Sequence, residues 1–256
     1  MSLIMFKYWN FGSINVIIGY YLIKDVGQMI DDKKKKVMNR FIKAAVELID
    51  EVGIENITIR NIAIKSRYNS ATLYNYFENL DHLIFFGAMR NVRDYSLSLE
   101  EYLKDTSDAM DRFLRIWECF CDYSFAKPEV YNAIFFPKLS KDMSHYIAQY
   151  YSLFPEDLGV HHQTVSSMLQ KADISDRNMT AVQDCVVEGF IAAKDASKLN
   201  NMTVLIYEGM LVQVLRKKVS TEKAKLHVME YIEYIVSSMQ IKKSDPICIC
   251  KQDQQS

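Results

Sequence analysis

Proline and glycine are scarce in this chain of 256 residues, which has four prolines and eight glycines. Both residue types interrupt helices, and segments with strand-like alternation are also few, so the composition favours a helical globular protein. The net charge is only −1, and the chain as a whole therefore lacks the positive excess that is typical of nucleic-acid binding. With 49% apolar residues, it can form one large domain or two smaller ones.

Several chemical signatures are missing as well. The five cysteines are odd in number and form no disulfide framework, which fits a reducing cytoplasm. Cysteines and histidines do not have the spacing of a zinc site, so we expect no metal. A glycine-rich phosphate loop, a nucleophile elbow and a set of histidine with carboxylates are all lacking. We therefore predict that the protein is not an enzyme and needs no cofactor.

The N-terminal segment has few charges. Residues 3–23 are strongly apolar and contain one lysine, and about 20 such residues can span a membrane. Two asparagines and two glycines weaken that interpretation. The alternatives are an arm packed on the protein, a disordered extension, or a start codon placed upstream of a natural start at Met29. We assign residues 1–32 to an N-terminal extension and 241–256 to a disordered tail.

Helical periodicity dominates from residue 34 onward. Apolar spacing predicts a first helix over 34–52, which Gly53 ends. Two much shorter helical patterns follow, with N-caps expected at Thr58 and Asn69. Neither is long enough to be stable alone, so they must pack on each other. Their spacing predicts a helix-turn-helix, the motif that places one helix in a DNA major groove.

Positive charge is concentrated around this motif. Nine Lys and Arg stand against five Asp and Glu between Lys33 and Leu80, which gives this segment a net charge of +4. A basic segment on a nearly neutral protein is typical of phosphate contact, although a solvated helix face has the same pattern.

Residues in and around the motif resemble the TetR family of bacterial regulators over about residues 37–85. The resemblance rests on Ala44, Ala45, Leu48 and Gly53 in the first helix, Thr58, Ile62 and Ala63 in the second, Thr72, Leu73, Tyr74, Tyr76 and Phe77 in the third, and then Asp81 and Leu83. The chain departs from the family at Tyr68 and Leu80, and at Arg67, where the family usually has glycine. A left-handed backbone there would cost a non-glycine residue about 1–2 kcal/mol.

The resemblance implies an all-α fold. Residues 33–80 would form a three-helix DNA-binding domain, and residues 81–240 a larger helical domain for effector binding and dimerisation. Phosphate contacts would come from Thr58, Thr72, Tyr74 and Tyr76, and base-edge contacts from Arg60, Tyr68, Ser70, Ala71 and Asn75, with Asn69 also at the DNA. Core packing remains the alternative for the tyrosines, and a solvated helix face for Arg60.

Aromatic residues are dense in the next part of the chain, with twelve between 113 and 154. They predict either an effector cavity or an aromatic core, and a ligand would be largely apolar or planar. The candidate lining residues are Trp117, Phe120, Cys121, Tyr123 and Tyr150. Further helices are expected over 81–103, 106–126, 128–136, 140–152, 160–172, 176–199, 202–217 and 221–240.

Apolar stripes on the last two predicted helices could pack within the subunit. The resemblance implies that these helices instead form a dimer interface, and a two-fold dimer is needed for two recognition helices to read two half-sites. The candidate interface residues are Leu205, Gly209, Val212, Met229, Ile232 and Val236. We therefore predict a cytoplasmic homodimer that represses transcription from a palindromic operator in double-stranded DNA and is released by a small effector. The alternatives are a membrane-tethered sensor and an activator of the same fold.

Overall fold

The computed structural model describes residues 32–136 and 143–241, and the regular structure in these ranges is helical. The α-helices are α1 (Asp32–Val52), α2 (Ile59–Ser66), α3 (Ser70–Leu73), α4 (Leu80–Leu103), α5 (Ala109–Ala126), α6 (Pro128–Phe135), α7 (Met143–Leu153), α8 (Gln163–Leu169), α9 (Ile174–Val187), α10 (Ala196–Leu215) and α11 (Thr221–Met239). In these ranges the only β pairing is one antiparallel bridge between Ile191 and Gln240. The prediction of an all-α fold is confirmed.

Helices α1, α2 and α3 form a small N-terminal unit around a shared apolar core. Phe41 and Ala45 recur at helical spacing on the buried face of α1, while Ile62 of α2 and Leu73 of α3 pack with them and are fully buried. The chain leaves α1 through Gly53, whose φ of 81° is a conformation that glycine adopts without strain. The predicted end of the first helix is therefore confirmed.

Helix α4 packs against α1 with little between the two backbones. A Cβ atom on Gly87 would lie 3.0 Å from the Cβ of Ala45 and 3.3 Å from Cδ1 of Ile49. Glycine at this position therefore permits a close approach that any side chain would disturb. The N-terminus of α4 is capped by Asn79, whose Oδ1 accepts a hydrogen bond from the His82 N–H at 2.8 Å.

Helix α5 lies at the centre of the larger C-terminal domain and contacts α4, α9 and α11. The ring of Tyr207 from α10 is its main aromatic partner, with ring centroids 5.7 Å from Trp117, 4.9 Å from Phe120 and 5.6 Å from Phe125. Much of the aromatic-rich stretch is thus packed as core.

The predicted helix over 176–199 is wrong, because the chain breaks between α9 and α10. Gly189 has φ 78°, and Ile191 pairs with the residue after α11. The carboxylate of Glu188 accepts a hydrogen bond from the N–H of Ala109 at 2.8 Å and so caps α5 from across the domain. These contacts stabilise the break, and α10 begins earlier than the predicted helix over 202–217.

Residues 1–31, 137–142 and 242–256 lie outside the described ranges. The predicted N-terminal extension and the predicted C-terminal tail fall almost wholly on them. Within the part of the chain that the structure covers, no helix is both long enough and apolar enough to cross a membrane.

Candidate nucleic-acid interface and ligand cavity

Two N-caps fix the start of the helices in the helix-turn-helix, and both were predicted. The hydroxyl of Thr58 accepts a hydrogen bond from the Asn61 N–H at 3.2 Å, and the Asn61 Oδ1 accepts one from the Thr58 N–H at 2.8 Å. Asn69 Oδ1 accepts hydrogen bonds from both the N–H and the hydroxyl of Thr72, each at 2.8 Å. These side-chain oxygens therefore stabilise helix starts, a role that competes with DNA contact for Thr58, Asn69 and Thr72.

The turn between α2 and α3 has a left-handed residue at Arg67, with φ 61° and ψ 34°. Its N–H donates to the carbonyl of Ile64 at 3.3 Å, and the Tyr68 N–H donates to the carbonyl of Ala63 at 3.2 Å. This is the conformation for which the family usually has glycine, so Arg67 carries a backbone strain of about 1–2 kcal/mol. Its side chain is exposed beside the turn.

Two of the tyrosines predicted at DNA are half-buried. The ring centroid of Phe41 lies 5.3 Å from that of Tyr68 and 6.4 Å from that of Tyr76. The guanidinium of Arg40 lies 5.8 Å from the Tyr68 ring centroid. Packing on α1 therefore accounts for a large part of both side chains.

The opposite face of α3 and the turn after it is open to solvent. Leu73 and Phe77 anchor the inner side and are almost fully buried, whereas the ring of Tyr74 is 53% exposed. The predicted DNA-contacting residues that are exposed are Thr58, Arg60, Asn69, Ser70, Ala71, Tyr74 and Asn75. The exposed members of α2, α3 and the following turn provide hydroxyl, amide and guanidinium groups, the chemistry that contacts phosphates and base edges.

Lysines of the basic segment differ in their exposure to solvent. Lys33, Lys34 and Lys36 are exposed at the start of α1. Lys65 instead donates a hydrogen bond to Glu51 at 2.5 Å and lies 3.4 Å from Glu47. The bond to Glu51 raises the pKa of Lys65 and ties this cation to α1.

Helix α7 connects the C-terminal domain to the segment that follows α3. The hydroxyl of Tyr146 donates to Oε2 of Glu78 at 2.7 Å, and its ring stacks on His82 with centroids 4.2 Å apart. Burial, together with this hydrogen bond, raises the pKa of Tyr146 to about 12. A second connection is the ion pair of Lys127 with Asp50 of α1, at 3.3 Å.

The buried carboxylate of Asp157 joins the segment after α7 to α4. It accepts a hydrogen bond from the Tyr150 hydroxyl at 2.6 Å, and it pairs with Arg90 at 2.8 Å and Arg93 at 3.0 Å. Burial raises the pKa of Asp157, and the hydrogen bond and the two arginines oppose that rise. The Tyr150 hydroxyl is thus engaged within the protein, whereas the sequence analysis placed it in an effector cavity.

The five residues predicted to line an effector cavity do not come together. Trp117 and Phe120 line one cavity of about 30 Å³ between α4, α5, α8 and α9. Cys121 is fully buried in the core, where burial raises the pKa of its thiol. The hydroxyl of Tyr123 is hydrogen-bonded to Ser98 of α4, and that of Tyr150 bonds to Asp157 as described above. The prediction is corrected accordingly, because helical rotation directs these side chains to different neighbours.

Sequence reasoning missed Arg177, which lines the same small cavity and is 4% exposed. Its Nε donates to the carbonyl of Lys171 at 2.7 Å, and its Nη2 donates to that of Leu169 at 2.9 Å. Its guanidinium also lies 4.8 Å from the Phe135 ring centroid. The sequence signal that could have indicated the burial of Arg177 is its position on the same face of α9 as the buried residue Ile174.

Two of the larger clefts in the described ranges lie away from this cavity. One, of about 500 Å³, has Leu99, Arg112, His161 and Val165 among its lining residues, and burial lowers the pKa of His161. The other, of about 320 Å³, lies between the end of α1 and α7 and includes Ile54, Ile84, Phe85, Phe136 and Met143. None of the predicted site residues lines either of these two clefts.

The predicted interface residues divide between the surface and the core. Leu205 and Val212 are 65% and 39% exposed on α10, and Gly209 lies on the same face. Met229 is half-buried, whereas Ile232 and Val236 are almost fully buried inside the subunit. This placement corrects the expected stripe on α11, because Ile232 and Val236 pack on the subunit's own helices and are not accessible to a second copy.

Comparison with known proteins connects this architecture to a family. Residues 41–85 match the family model described as bacterial regulatory proteins, tetR family. Thermus thermophilus FadR, a TetR-family transcriptional repressor solved in complex with lauroyl-CoA, is similar with a TM-score of 0.52 and 12% identity over 82% of this chain and 97% of that chain. No curated protein sequence matches the chain significantly.

Two further solved structures are similar. A TetR-family regulator from Syntrophomonas wolfei str. Goettingen, described in its structure as putative, has a TM-score of 0.53 and 17% identity over 79% of this chain and 96% of that chain. A TetR transcription regulator from Haloarcula marismortui ATCC 43049 has a TM-score of 0.51 and 15% identity over 80% of this chain and 99% of that chain. At such identities the likeness concerns the fold.

The structure therefore has the fold of TetR-type transcriptional regulators, with a capped helix-turn-helix unit and a larger helical C-terminal domain. Residues 41–85 match the TetR family of bacterial regulators, which confirms the resemblance that the motif residues predicted.

Proposed function

We propose that the protein represses transcription by binding a palindromic operator as a homodimer, and that a small, largely apolar effector releases it. The observation that carries this proposal is the exposed face of α3 and the turn after it, where Ser70, Ala71, Tyr74 and Asn75 are exposed beside a preformed N-cap. A capped helix start with exposed polar side chains fits the entry of a recognition helix into the major groove. Arg60 lies on the adjacent α2 and extends the same surface.

Support for a homodimer comes from α10. Met202, Leu205, Gly209 and Val212 are exposed and recur every three or four residues, so they form one apolar stripe along the helix. A Cβ atom on Gly209 would meet no atom within 4 Å in the subunit. Glycine inside a helix costs about 0.5–1 kcal/mol relative to alanine, and nothing within the described subunit requires it. Close approach of a second copy would account for it.

The effector and its action rest on the C-terminal domain. Its aromatic core holds the cavity beside Trp117, and its α7 contacts both α4 and the segment after α3. FadR, one of the similar structures, holds lauroyl-CoA. An effector changes DNA binding only if it binds the DNA-free state better, and a rearrangement of α4 against α1 would provide two such states. The proposal further holds that the protein is not an enzyme. It would act in the cytoplasm, where its DNA target lies.

A binding-site selection tests the DNA-binding part of the proposal. The purified full chain is incubated with a pool of random duplexes, and bound duplexes are sequenced and measured by fluorescence anisotropy at fixed salt. We expect a palindrome whose half-sites are separated by one helical turn, about 34–36 Å, or a multiple of it.

Ala71→Glu supplies the matched variant, because it places a negative charge on the exposed face of α3 without touching the core. It should abolish binding, whereas Ala126→Glu, an equally exposed alanine at the end of α5, should leave binding intact. A pool without enrichment, or equal binding by both variants, would overturn the proposal.

A further inference from the structure

The small cavity beside Trp117 holds a cation that the protein core leaves incompletely satisfied. Arg177 is 4% exposed, and its Nη1 has no hydrogen-bond partner. In the described ranges no carboxylate forms an ion pair with it, and its bonded nitrogens donate to two backbone carbonyls. A buried charge is costly unless it is paired, so this arginine stands out from Arg90 and Arg112, which have carboxylate partners.

Three buried tyrosines lie within electrostatic reach of the Arg177 guanidinium. The hydroxyl of Tyr131 is buried and has no hydrogen-bond partner. Burial raises the pKa of Tyr95, Tyr131 and Tyr151, and the positive charge of Arg177 opposes that rise in all three. The charge therefore acts on three phenol groups, of which Tyr95 lines the cavity and can donate a hydrogen bond in addition to those of the arginine.

The remaining walls of the cavity are apolar. Ile116 comes from α5, Met168 from α8, and Ile174 and Ala181 from α9, and all four are buried. The indole of Trp117 is held in place because its Nε1 donates to Oδ1 of Asn178 at 2.9 Å. One polar corner with a cation and otherwise apolar walls are complementary to a molecule with an anionic end and an apolar body.

We propose that Arg177 and the adjoining cavity form the site that receives the carboxylate of a small apolar organic acid. This inference rests on the effector-responsive function proposed above and names the chemical class of the effector. A guanidinium donates short, charge-assisted hydrogen bonds to a carboxylate, and in a site without water such bonds are stronger than in solution.

The size of the cavity adds a consequence for regulation. Its free volume of about 30 Å³ accommodates a head group but not the whole ligand. The apolar body must displace neighbouring side chains, and Met168 is the most adaptable of them because its chain is unbranched. The bound protein therefore has a different packing between α5, α8 and α9. That difference gives the ligand unequal affinity for two states, which regulation requires.

A structural role for Arg177 alone makes a different prediction. In that case the arginine only binds the last carbonyls of α8, and one water bonds to Nη1. Carboxylates would then bind no better than neutral molecules of the same shape.

The experiment compares two acids with their amides in the full-length protein. Trp9→Phe leaves Trp117 as the single tryptophan, since the chain has two. Benzoate, octanoate, benzamide and octanamide are titrated while Trp117 fluorescence and the melting temperature are recorded. We expect at least one acid to change the fluorescence and raise the melting temperature, with its amide at least about tenfold weaker. Amides that bind as well as the acids, or a lack of response to both acids, would overturn the proposal.

Variants locate the site. Arg177→Met should weaken binding of the acid by at least about tenfold, and Arg177→Lys should restore part of it. Arg115→Met, which removes an exposed arginine from α5, should have no effect. A folded Arg177→Met protein that still binds the acid would overturn the assignment of the carboxylate site to Arg177. If that variant does not fold, the comparison of each acid with its amide still tests whether the site recognises a carboxylate.

Operator selection with the same protein separates the two proposals. A protein that selects a DNA site but ignores both acids contradicts only the carboxylate site. A protein that binds an acid through Arg177 but selects no DNA contradicts the proposed function and leaves the ligand site standing.

Discussion

The hydroxyl of Tyr146 donates a hydrogen bond to Glu78 across 2.7 Å and thereby joins α7 to the segment between α3 and α4. Glu78 directly follows the residues that anchor the recognition helix to the core. A rearrangement of α7 would therefore reach the DNA-binding surface through one side-chain contact.

Tyr146→Phe removes this hydrogen bond and keeps the ring stacked on His82. A hydrogen bond to a charged group contributes about 1.5–3 kcal/mol, so we expect a lower melting temperature and a change in operator affinity, measured by anisotropy. Tyr102→Phe is the control, because the Tyr102 hydroxyl donates to Asp122 at 2.6 Å within the C-terminal domain. It should lower stability without altering operator affinity. Equal effects of both variants on DNA binding would show that this contact does not couple the domains.

Arg67→Gly relieves the left-handed backbone of the turn. The strain of about 1–2 kcal/mol is partly offset by the greater freedom of glycine in the unfolded chain, which leaves a gain of roughly 0.5–1 kcal/mol. Thermal unfolding should show a rise of a few degrees. Lys217→Gly, at the other described non-glycine residue with positive φ, should give a similar gain. Only Arg67→Gly should weaken DNA binding and reduce its salt dependence by about one ion. A lower melting temperature for Arg67→Gly would show that the left-handed backbone at Arg67 is not strained.

Arg60→Ala and Tyr74→Ala should separate base reading from phosphate contact. Loss of a guanidinium at a base edge costs about 1–3 kcal/mol for the preferred sequence and little for others. Loss of the exposed Tyr74 ring and hydroxyl should weaken binding to all sequences in similar proportion. Anisotropy with the selected duplex and a scrambled duplex at one salt concentration measures both effects. The same specificity ratio in both variants would refute the assignment.

Leu205→Glu should convert the proposed dimer to a monomer, since it places a charge in the centre of the exposed apolar stripe on α10. Light scattering measures the molecular mass directly. Val187→Glu is the control, because Val187 is 83% exposed at the end of α9 and lies away from the stripe. A protein that is monomeric before the substitution, or one that stays dimeric after it, would contradict the proposed interface.

Gly209→Ala should have opposite effects in the monomer and in the dimer. In the Leu205→Glu monomer the added methyl group meets open space and should raise stability by about 0.5–1 kcal/mol through helix propensity. In the unsubstituted protein it should weaken association, as measured by the concentration dependence of the mass. If alanine leaves association unchanged, close helix approach at this position is refuted.

Local signals predicted the N-terminal unit well. The periodicity of α1, the stop at Gly53 and the caps at Thr58 and Asn69 all depend on residues close in sequence, and the structure confirms them. The left-handed conformation of Arg67 was also predictable from the sequence, because the family usually has glycine at this position.

Features that depend on distant contacts could not be predicted in the same way. The break after α9 has two alanines and no proline, and it is stabilised by Glu188 at the start of α5 and by the pairing of Ile191 with Gln240. Arg177 is bonded to carbonyls at the end of α8, which the sequence does not place beside α9. Ile232 and Val236 fit an apolar stripe, but only the packed structure shows that the stripe faces inward.

The close contact at Gly87 has a mechanical consequence. Because no side chain lies between the backbone of α4 and Ala45, the joint between the two helices has no flexible layer to absorb a small displacement. A tilt of α4 must either move α1 with it or open a gap at this point. The N-terminal unit should therefore move as a rigid body when the C-terminal domain rearranges. The close contact at Gly87 should determine how strongly a tilt of α4 displaces that unit.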